Sequence, residues 1–394
     1  MNQVESDAII FGAPSIGDEE LREVDAVLRS GWLGTGPRVA AFEAQFAQFK
    51  ALEAAQVAAV NSCTAALHVS MVAAGLERGA EVITTPLTFC ATVNAIIHAG
   101  LRPVLADVDP ISQCISVEAI EAAITSRTQA IIPVHFAGRM CDMPAIMALA
   151  RKHNLKVIED CAHAVEADLH DKPAGTFGDF GCFSFYVTKN VTTGEGGMVV
   201  GQNQDEINRV RVLALHGLDK DAWHRFGDKG YKHYKVVEAG FKYNMTDIQA
   251  AIGIHQLARV KQNWKRRKII WEQYQNAFSD LEIVTPAEFL PNQTHGLHLY
   301  TIRITPAATL LSRDDFLEKM NAVRVGCGVH YVSVAEHPFY QDSFGWKPEN
   351  YRHSTQIGRE TVSLPLSAAL TDAQVERVIR SVRDALCGDG RNKK

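Results

Sequence analysis

The sequence predicts an α/β fold with a mainly parallel central sheet and a smaller C-terminal α+β domain. Two observations carry this. From about residue 55 to residue 201, short apolar runs of strand length alternate with segments of helical spacing. Such alternation builds a parallel sheet covered by helices on both faces. From about residue 246 the character changes to a long helical stretch followed by shorter strand and helix pieces. The expected division is a large domain over 1–260, including an N-terminal arm, and a small one over 261–394.

The elements follow in order. "AAQVAAV" (54–60) reads as a buried strand, and "TAALHVSMVAAGL" (64–76) as a helix closed by Gly75. "AEVITT" (80–85) is a strand, "FCATVNAIIHAG" (89–100) a helix ending at Gly100, and "RPVLADV" (102–108) a strand. "SVEAIEAAI" (116–124) is a helix with Ser116 as its N-cap. "QAIIPVHF" (129–136), "KVIED" (156–160), "GCFSFYV" (181–187) and "GGMVVG" (196–201) are strands, with the helix "DMPAIMALARKHN" (142–154) after the first. Beyond 245, one long helix leads into "HLYTIRI" (298–304, strand), "RDDFLEKMNAV" (313–323, helix) and "DAQVERVIRSVRDAL" (372–386, helix).

Composition narrows the function. Of 394 residues, 46% are hydrophobic and 22% charged, which allows a large core. A net charge of −5 with no long basic run argues against nucleic acid as a partner. The short cluster "KRRK" (265–268) reads as a solvated helix face. Eight cysteines form no C-x-x-C pair and no zinc spacing, so no metal is expected and a reducing cytoplasm is. "MNQVESDAIIFGAPSIG" lacks the basic and apolar regions of a signal peptide, and no apolar run reaches transmembrane length.

In an open parallel sheet, ligands bind beyond the carboxyl ends of the strands. After "AQVAAV" come Ser62, Cys63, Thr64 and Ala65, at the start of a helix. They form either an anion cradle or a plain N-cap. After "KVIE" comes Asp160, either paired with an arginine or facing a cationic ligand atom. His163 is near the same strand end, as a packed core histidine or a ligand group. Lys189 closes the strand run that carries Ser184 and precedes Gly194, Gly196 and Gly197. It is either a solvated lysine or a working amine. No G-x-G-x-x-G and no Walker A pattern is present. A phosphate cradle, an aromatic at Phe89, an acid and a lysine at one sheet edge are the groups that pyridoxal 5'-phosphate requires.

The motifs "GWLGTGPRVAAFE", "VNSCTAALH", "EVITTPLTF", "AIIPVHFAG", "VIEDCAHA", "FSFYVTKNVTTGEGGMV" and "GFKYNMTDIQAAIG" occur in this order along nearly the whole chain. By them the sequence resembles the DegT/DnrJ/EryC1/StrS family of pyridoxal-phosphate sugar aminotransferases. Within that family it is most similar to the enzymes that aminate UDP-4-keto-arabinose. The resemblance implies a fold-type I dimer with shared active sites. It makes Lys189 the catalytic, cofactor-linking lysine and Asp160 the partner of the pyridinium nitrogen. Phe89 would stack on the ring, and His163 would sit near its phenolic oxygen. Thr64, Ala65 and Ser184 would hold the phosphate, which Asn244 would reach from the neighbouring subunit. His330 and His337, in "GVHYVSVAEHPFY", are substrate-binding candidates. The segment "RFGDKGYKHYKVVEAG" (225–240) resembles loops that vary among relatives and touch the sugar nucleotide. The implied reaction moves an amino group from L-glutamate to a nucleotide-linked 4-keto sugar. Two alternatives stand beside it: a dehydratase using the pyridoxamine form, and a regulatory protein that retains the fold. Dehydratases of the family carry His where this chain has Lys189, and a regulatory protein would tolerate loss of the lysine or the acid.

Overall fold

The computed structural model describes residues 8–219, 234–309 and 311–387. A seven-stranded sheet forms its centre. Its strands are β1 (Val57–Val60), β2 (Glu81–Thr84), β3 (Arg102–Leu105), β4 (Thr128–Ile132), β5 (Lys156–Asp160), β8 (Phe180–Ser184) and β9 (Gly197–Gly201). The two-residue strands β6 (Asp168–Leu169) and β7 (Lys172–Pro173) form a hairpin between β5 and β8. The spatial order is β1-β9-β8-β5-β4-β2-β3. β3, β2, β4, β5 and β8 run parallel, and β9 lies antiparallel between β8 and β1. Four of these strands are buried at every residue, as the apolar runs require.

Helices α1 (Asp18–Ser30) and α2 (Pro37–Phe49) precede the sheet. Helices α3 (Cys63–Ala73), α4 (Cys90–His98), α5 (Val117–Ala123), α6 (Met143–His153) and α7 (Gln204–Ala214) connect or follow its strands. Ser116 caps α5 by accepting the Ala119 N–H, and Gly75 and Gly100 take positive φ after α3 and α4, as expected. One apolar cluster, around Phe42, Phe46, Phe183 and Phe185, lies on one side of the sheet. A second, around Leu67, Val69, Met71 and Phe180, lies on the other.

The long helix expected beyond 245 is two helices, α8 (Asp247–Ala258) and α9 (Val260–Ala277). Arg259 sits between them at φ −98°, ψ 0°, and its guanidinium is drawn to Glu20 and to the Ser15 carbonyl. After β10 (Gln293–Thr294) come β11 (Tyr300–Arg303), α10 (Pro306–Thr309), α11 (Arg313–Ala322), α12 (Pro338–Phe344), α13 (Arg352–Glu360), β12 (Thr361–Leu364) and α14 (Asp372–Cys387). β11 and β12 pair antiparallel over a separate core built with α9 and α11.

"KRRK" is not a solvated face throughout. Arg267 is buried and paired with the buried carboxylate of Glu166, whereas Lys268 is surface-exposed with Glu272. The seven described cysteines are all free, and four are buried. Among the described residues, no helix is long and apolar enough to cross a membrane.

Candidate active site

A cleft of about 520 Å³ opens at the carboxyl ends of β1, β5 and β8. It gathers Ser62, Cys63, Thr64, Phe89, Thr92, Asp160, His163, Ser184, Lys189, His330 and Tyr331. A larger groove of about 640 Å³, lined by Arg313, Arg352, Arg359 and Glu360, holds none of these groups. The candidate site residues gather in the smaller cleft.

The turn after β1 supplies its anion end. Ser62 caps α3, and its Oγ accepts the Ala65 N–H at 3.1 Å. The cap and the cradle are thus both present, in different atoms. Ala65 is buried behind the cleft with its N–H taken, whereas the first-turn amides of Cys63 and Thr64 have no intrahelical acceptor. A helix N-terminus of this kind favours a phosphate. Ser184 completes that end, with its Oγ accepting the Tyr186 N–H at 3.3 Å. Gly197 is what lets β9 lie against the turn. A Cβ there would stand 2.5 Å from the Ser62 carbonyl carbon and 2.7 Å from the Cys63 nitrogen.

Asp160 ends β5 and is buried. One carboxylate oxygen accepts from Thr92 Oγ1 at 2.8 Å and the other from the Ala162 N–H at 3.1 Å. Thr92 gives its only proton to Asp160, so Thr88, 2.8 Å away, donates to Thr92. Burial raises the acid above the ordinary carboxylate value, and the two hydrogen bonds and Lys189 pull it back. No arginine pairs with Asp160 among the described residues. A buried carboxylate held ready without a paired cation fits a cationic ring nitrogen.

Behind Asp160, Glu159 accepts from His135 Nε2 and from the N–H groups of Gly175, Phe177 and Gly178. His135 Nδ1 accepts the Cys141 N–H. The grouping of His135, Glu159 and Cys161 is therefore hydrogen-bonded structure, with its nitrogen and oxygen atoms already engaged.

Lys189 does not close a strand. β8 stops at Ser184, and backbone bonds from Phe185 to Gly196 and Thr193 pinch off the loop that carries the lysine. The chain thereby turns Lys189 back over the sheet edge. Burial pushes its ammonium down to about 8, against the pull of Asp160. Its Nζ lies 3.5 Å from His298 Nε2.

The wall facing the sheet edge is aromatic. Phe89, 58% exposed, stands at the start of α4, 6.0 Å between ring centroids from Tyr331. His163 Nδ1 accepts the Ala137 N–H at 3.2 Å, and its Nε2 lies 3.0 Å from the Tyr331 hydroxyl. Burial, then Lys189 and the neighbouring histidines, hold His163 well below its usual range, so the ring is neutral. With Nδ1 accepting, Nε2 carries the proton and donates to Tyr331, which leaves the tyrosine proton free to donate elsewhere. His330 lines the cleft, with Nδ1 2.8 Å from Ser363 Oγ, and burial pushes it down to about 4.

Besides Ala65, two expected site residues lie outside the cleft lining. His337 begins α12, packs against Tyr340 and does not line the cleft. Pro338 starts the helix at that point and carries the chain away. Asn244 bridges to Val60 at the end of β1, but its side-chain amide donates to Thr35 Oγ1 at 2.7 Å instead of entering this chain's cleft. Of the loop 225–240, residues 225–233 lie outside the described residues. Thr92, His298 and Tyr331 were not singled out from the sequence. Thr92 has a usable signal, as a hydroxyl in the first turn of the helix that follows β2. Tyr331 lies in the segment that supplies His330, beside the histidine, and His298 comes from a distant segment that only the fold brings in.

The DegT/DnrJ/EryC1/StrS aminotransferase family model matches residues 14–383. The chain belongs to this family. It is 43% identical over 381 residues to the spore coat polysaccharide biosynthesis protein SpsC of Bacillus subtilis, covering 96% of this chain and 97% of that one. Its fold matches the PMP-form of a putative sugar aminotransferase, Spr1654 of Streptococcus pneumoniae, with a TM-score of 0.90 and 28% identity over 96% of this chain and 99% of that one. DesI, solved in the presence of its TDP-sugar product, matches with a TM-score of 0.87 and 28% identity over 97% and 94%. As a DegT/DnrJ/EryC1/StrS member, the chain is a pyridoxal-phosphate-dependent sugar aminotransferase of fold-type I. The groups of the cleft fit that cofactor: a helix-start turn with unpaired amides, a buried acid without an arginine partner and a buried amine.

Proposed function

We propose that this enzyme moves an amino group from L-glutamate to the 4-keto group of a nucleotide-linked sugar, as a homodimer whose two active sites are shared. The observation that carries the amination chemistry is the buried Asp160, hydrogen-bonded but without a cationic partner, beside a Lys189 amine lowered to about 8. The nucleotide-sugar reading is supported by the likeness to DesI, solved in the presence of its TDP-sugar product.

Bound pyridoxal phosphate supplies an electron sink that lets an amino acid lose its α-proton. The chain's residues do the rest. The Cys63 and Thr64 amides, the Thr64 hydroxyl and Ser184 would hold the phosphate. Asp160 would keep a proton at the ring nitrogen, and Thr92 and the Ala162 N–H keep Asp160 ionised and aimed. Lys189, once free, takes the donor's α-proton as a neutral amine, which a value of about 8 allows near neutral pH. Phe89 would cover the ring, and the Tyr331 hydroxyl, oriented by His163, would be free to donate to the cofactor.

A panel of nucleotide-linked 4-keto hexoses and pentoses, each incubated with L-glutamate, tests the substrate. The expected result is an amino sugar and 2-oxoglutarate in equal amounts from at least one nucleotide-linked member. Amination of the free sugar at the same rate would overturn the nucleotide requirement. The shared site is tested at Asn244. In Asn244→Ala, dimerisation by sedimentation is expected to persist while pyridoxal phosphate affinity falls about tenfold, one lost hydrogen bond to a charged group. Unchanged affinity would leave Asn244 as the local partner of Thr35.

A further inference from the structure

His298 precedes β11 and is buried. Its backbone N–H donates to the Ala137 carbonyl at 3.0 Å, while the Ala137 N–H donates to His163. One residue thus fixes both rings, which lie 4.4 Å apart between centroids. The His298 side chain bridges two groups of the lysine loop. Nε2 is 3.5 Å from Lys189 Nζ, and Nδ1 is 3.1 Å from Asn190 Oδ1.

The hydrogens in this bridge follow by elimination. The other atom of the Asn190 amide lies 2.7 Å from the Gly296 carbonyl and 2.8 Å from Glu166. A carbonyl only accepts, so that atom is the NH₂ group whatever the state of Glu166. Oδ1 therefore faces His298 and accepts from it. The Nδ1 of His298 carries the proton, and the lone pair of Nε2 faces Lys189. The buried pair of Glu166 with Arg267 of α9 anchors the far end. We propose that His298 is a positioning residue for Lys189. Its unprotonated Nε2 accepts a hydrogen bond from the lysine amine whenever that amine is free, and Asn190 imposes the tautomer this needs.

The consequence is geometric. A neutral amine that gives one N–H to His298 has its lone pair directed away from that ring, so the bond orients the base. At 3.5 Å the contact is at the outer limit of a hydrogen bond, and such contacts tighten when a site is filled. The other groups around Lys189 do not substitute for it. Asp160 comes from β5, His163 from the turn after it, Cys63 from α3, His330 from the segment after α11, and Glu195 from the lysine's own loop. Asp160 is engaged by Thr92 and Ala162, His163 by Ala137 and Tyr331, and His330 by Ser363.

The inference rests on Lys189 being the working amine, and not on the identity of the sugar or the donor. Its test reads nitrogen and carbon resonances instead of turnover. The full chain is labelled with ¹⁵N-histidine and loaded with pyridoxamine 5'-phosphate, the form that leaves the lysine amine unattached. His298 is expected to show a protonated Nδ1 and a bare Nε2 through neutral pH. A proton on Nε2 would overturn the proposal, and this outcome requires no variant to fold. With ¹³Cε-lysine, the Lys189 midpoint in His298→Phe is expected to fall by about one pH unit, because the charged form loses its acceptor. His298→Gln, whose amide oxygen can replace Nε2, is expected to recover most of that shift. An unmoved midpoint in His298→Phe, or an equal fall in both variants, would show that the ring only fills space.

Discussion

Lys189 and Lys50 are both removed from bulk water, and burial pushes both down to about 8. They lie in different surroundings. Lys50 follows α2, and its Nζ donates to the Val165 carbonyl at 2.7 Å and the Ala174 carbonyl at 3.2 Å, with the Phe183 ring 4.5 Å away. Lys189 has one long contact, to the Nε2 of His298, and an open cleft in front of it. The first amine ties the turn after β5 to the hairpin before β8. The second is left with hydrogen-bonding capacity for a ligand. A lowered lysine value therefore marks desolvation and not reactivity; the number of fixed acceptors around the nitrogen separates a strut from a base.

The largest expected effect breaks the pair apart. Lys189→Ala should lower turnover by about 10⁴-fold or more, the upper range for losing a positioned acid–base group, while cofactor still binds through the phosphate turn. Single-turnover absorbance of the glutamate half-reaction measures this. Next comes Asp160→Asn, because a neutral amide cannot hold the ring proton by charge. A fall of at least about tenfold in the same rate is expected, equivalent to roughly 1.4 kcal/mol. A smaller loss would assign the role elsewhere. Lys50→Met should act on the other axis. The Val165 and Ala174 carbonyls lose a donor, at a cost of about 1–3 kcal/mol in urea unfolding. The rate per folded active site should stay within about twofold. If it fell as far as in Asp160→Asn, the two lysines would not be functionally distinct. The finest test is chemical. In cofactor-free protein, a brief pulse of an amine-acylating reagent should label Lys189 with a midpoint near pH 8, since labelling follows the neutral amine. Lys50, at nearly the same value, should stay unlabelled until the protein unfolds. Peptide mass spectrometry reads both sites.

The sequence makes one of these lysines legible and hides the other. Lys189 stands in a glycine-bounded motif after an apolar strand, and Asp160 and Thr64 follow strands in the same way, so the rule of strand carboxyl ends finds all three. Lys50 looks like any lysine after an amphipathic helix, because its acceptors come from residues 165 and 174, more than a hundred positions away. Arg267 fails for the same reason: "KRRK" has a solvated pattern, but Glu166 draws one member inside. The end of β8 is hidden in the sequence because "FSFYV" stays apolar beyond Ser184. The strand ends instead where Phe185 turns its hydrogen bonds to the loop. In the sequence His298 is only the first residue of the strand-like run "HLYTIRI". Its role exists through Asn190 and Lys189, which no local pattern connects to it.

The close fit of Gly197 against the Ser62 turn has a practical consequence for anyone redirecting this enzyme to other sugars. A randomised library across Glu195, Gly196 and Gly197 would spend most of its diversity on dead clones. Any side chain at 197 collides with backbone that cannot yield without moving the first turn of α3. At 196 a side chain meets Thr193 and Met245. Glu195 lines the same cleft and is exposed, so its side chain can vary without disturbing the phosphate turn. The evolvable position in "TGEGG" is the glutamate, and the glycines that follow it are the fixed jig on which new specificities would be tried.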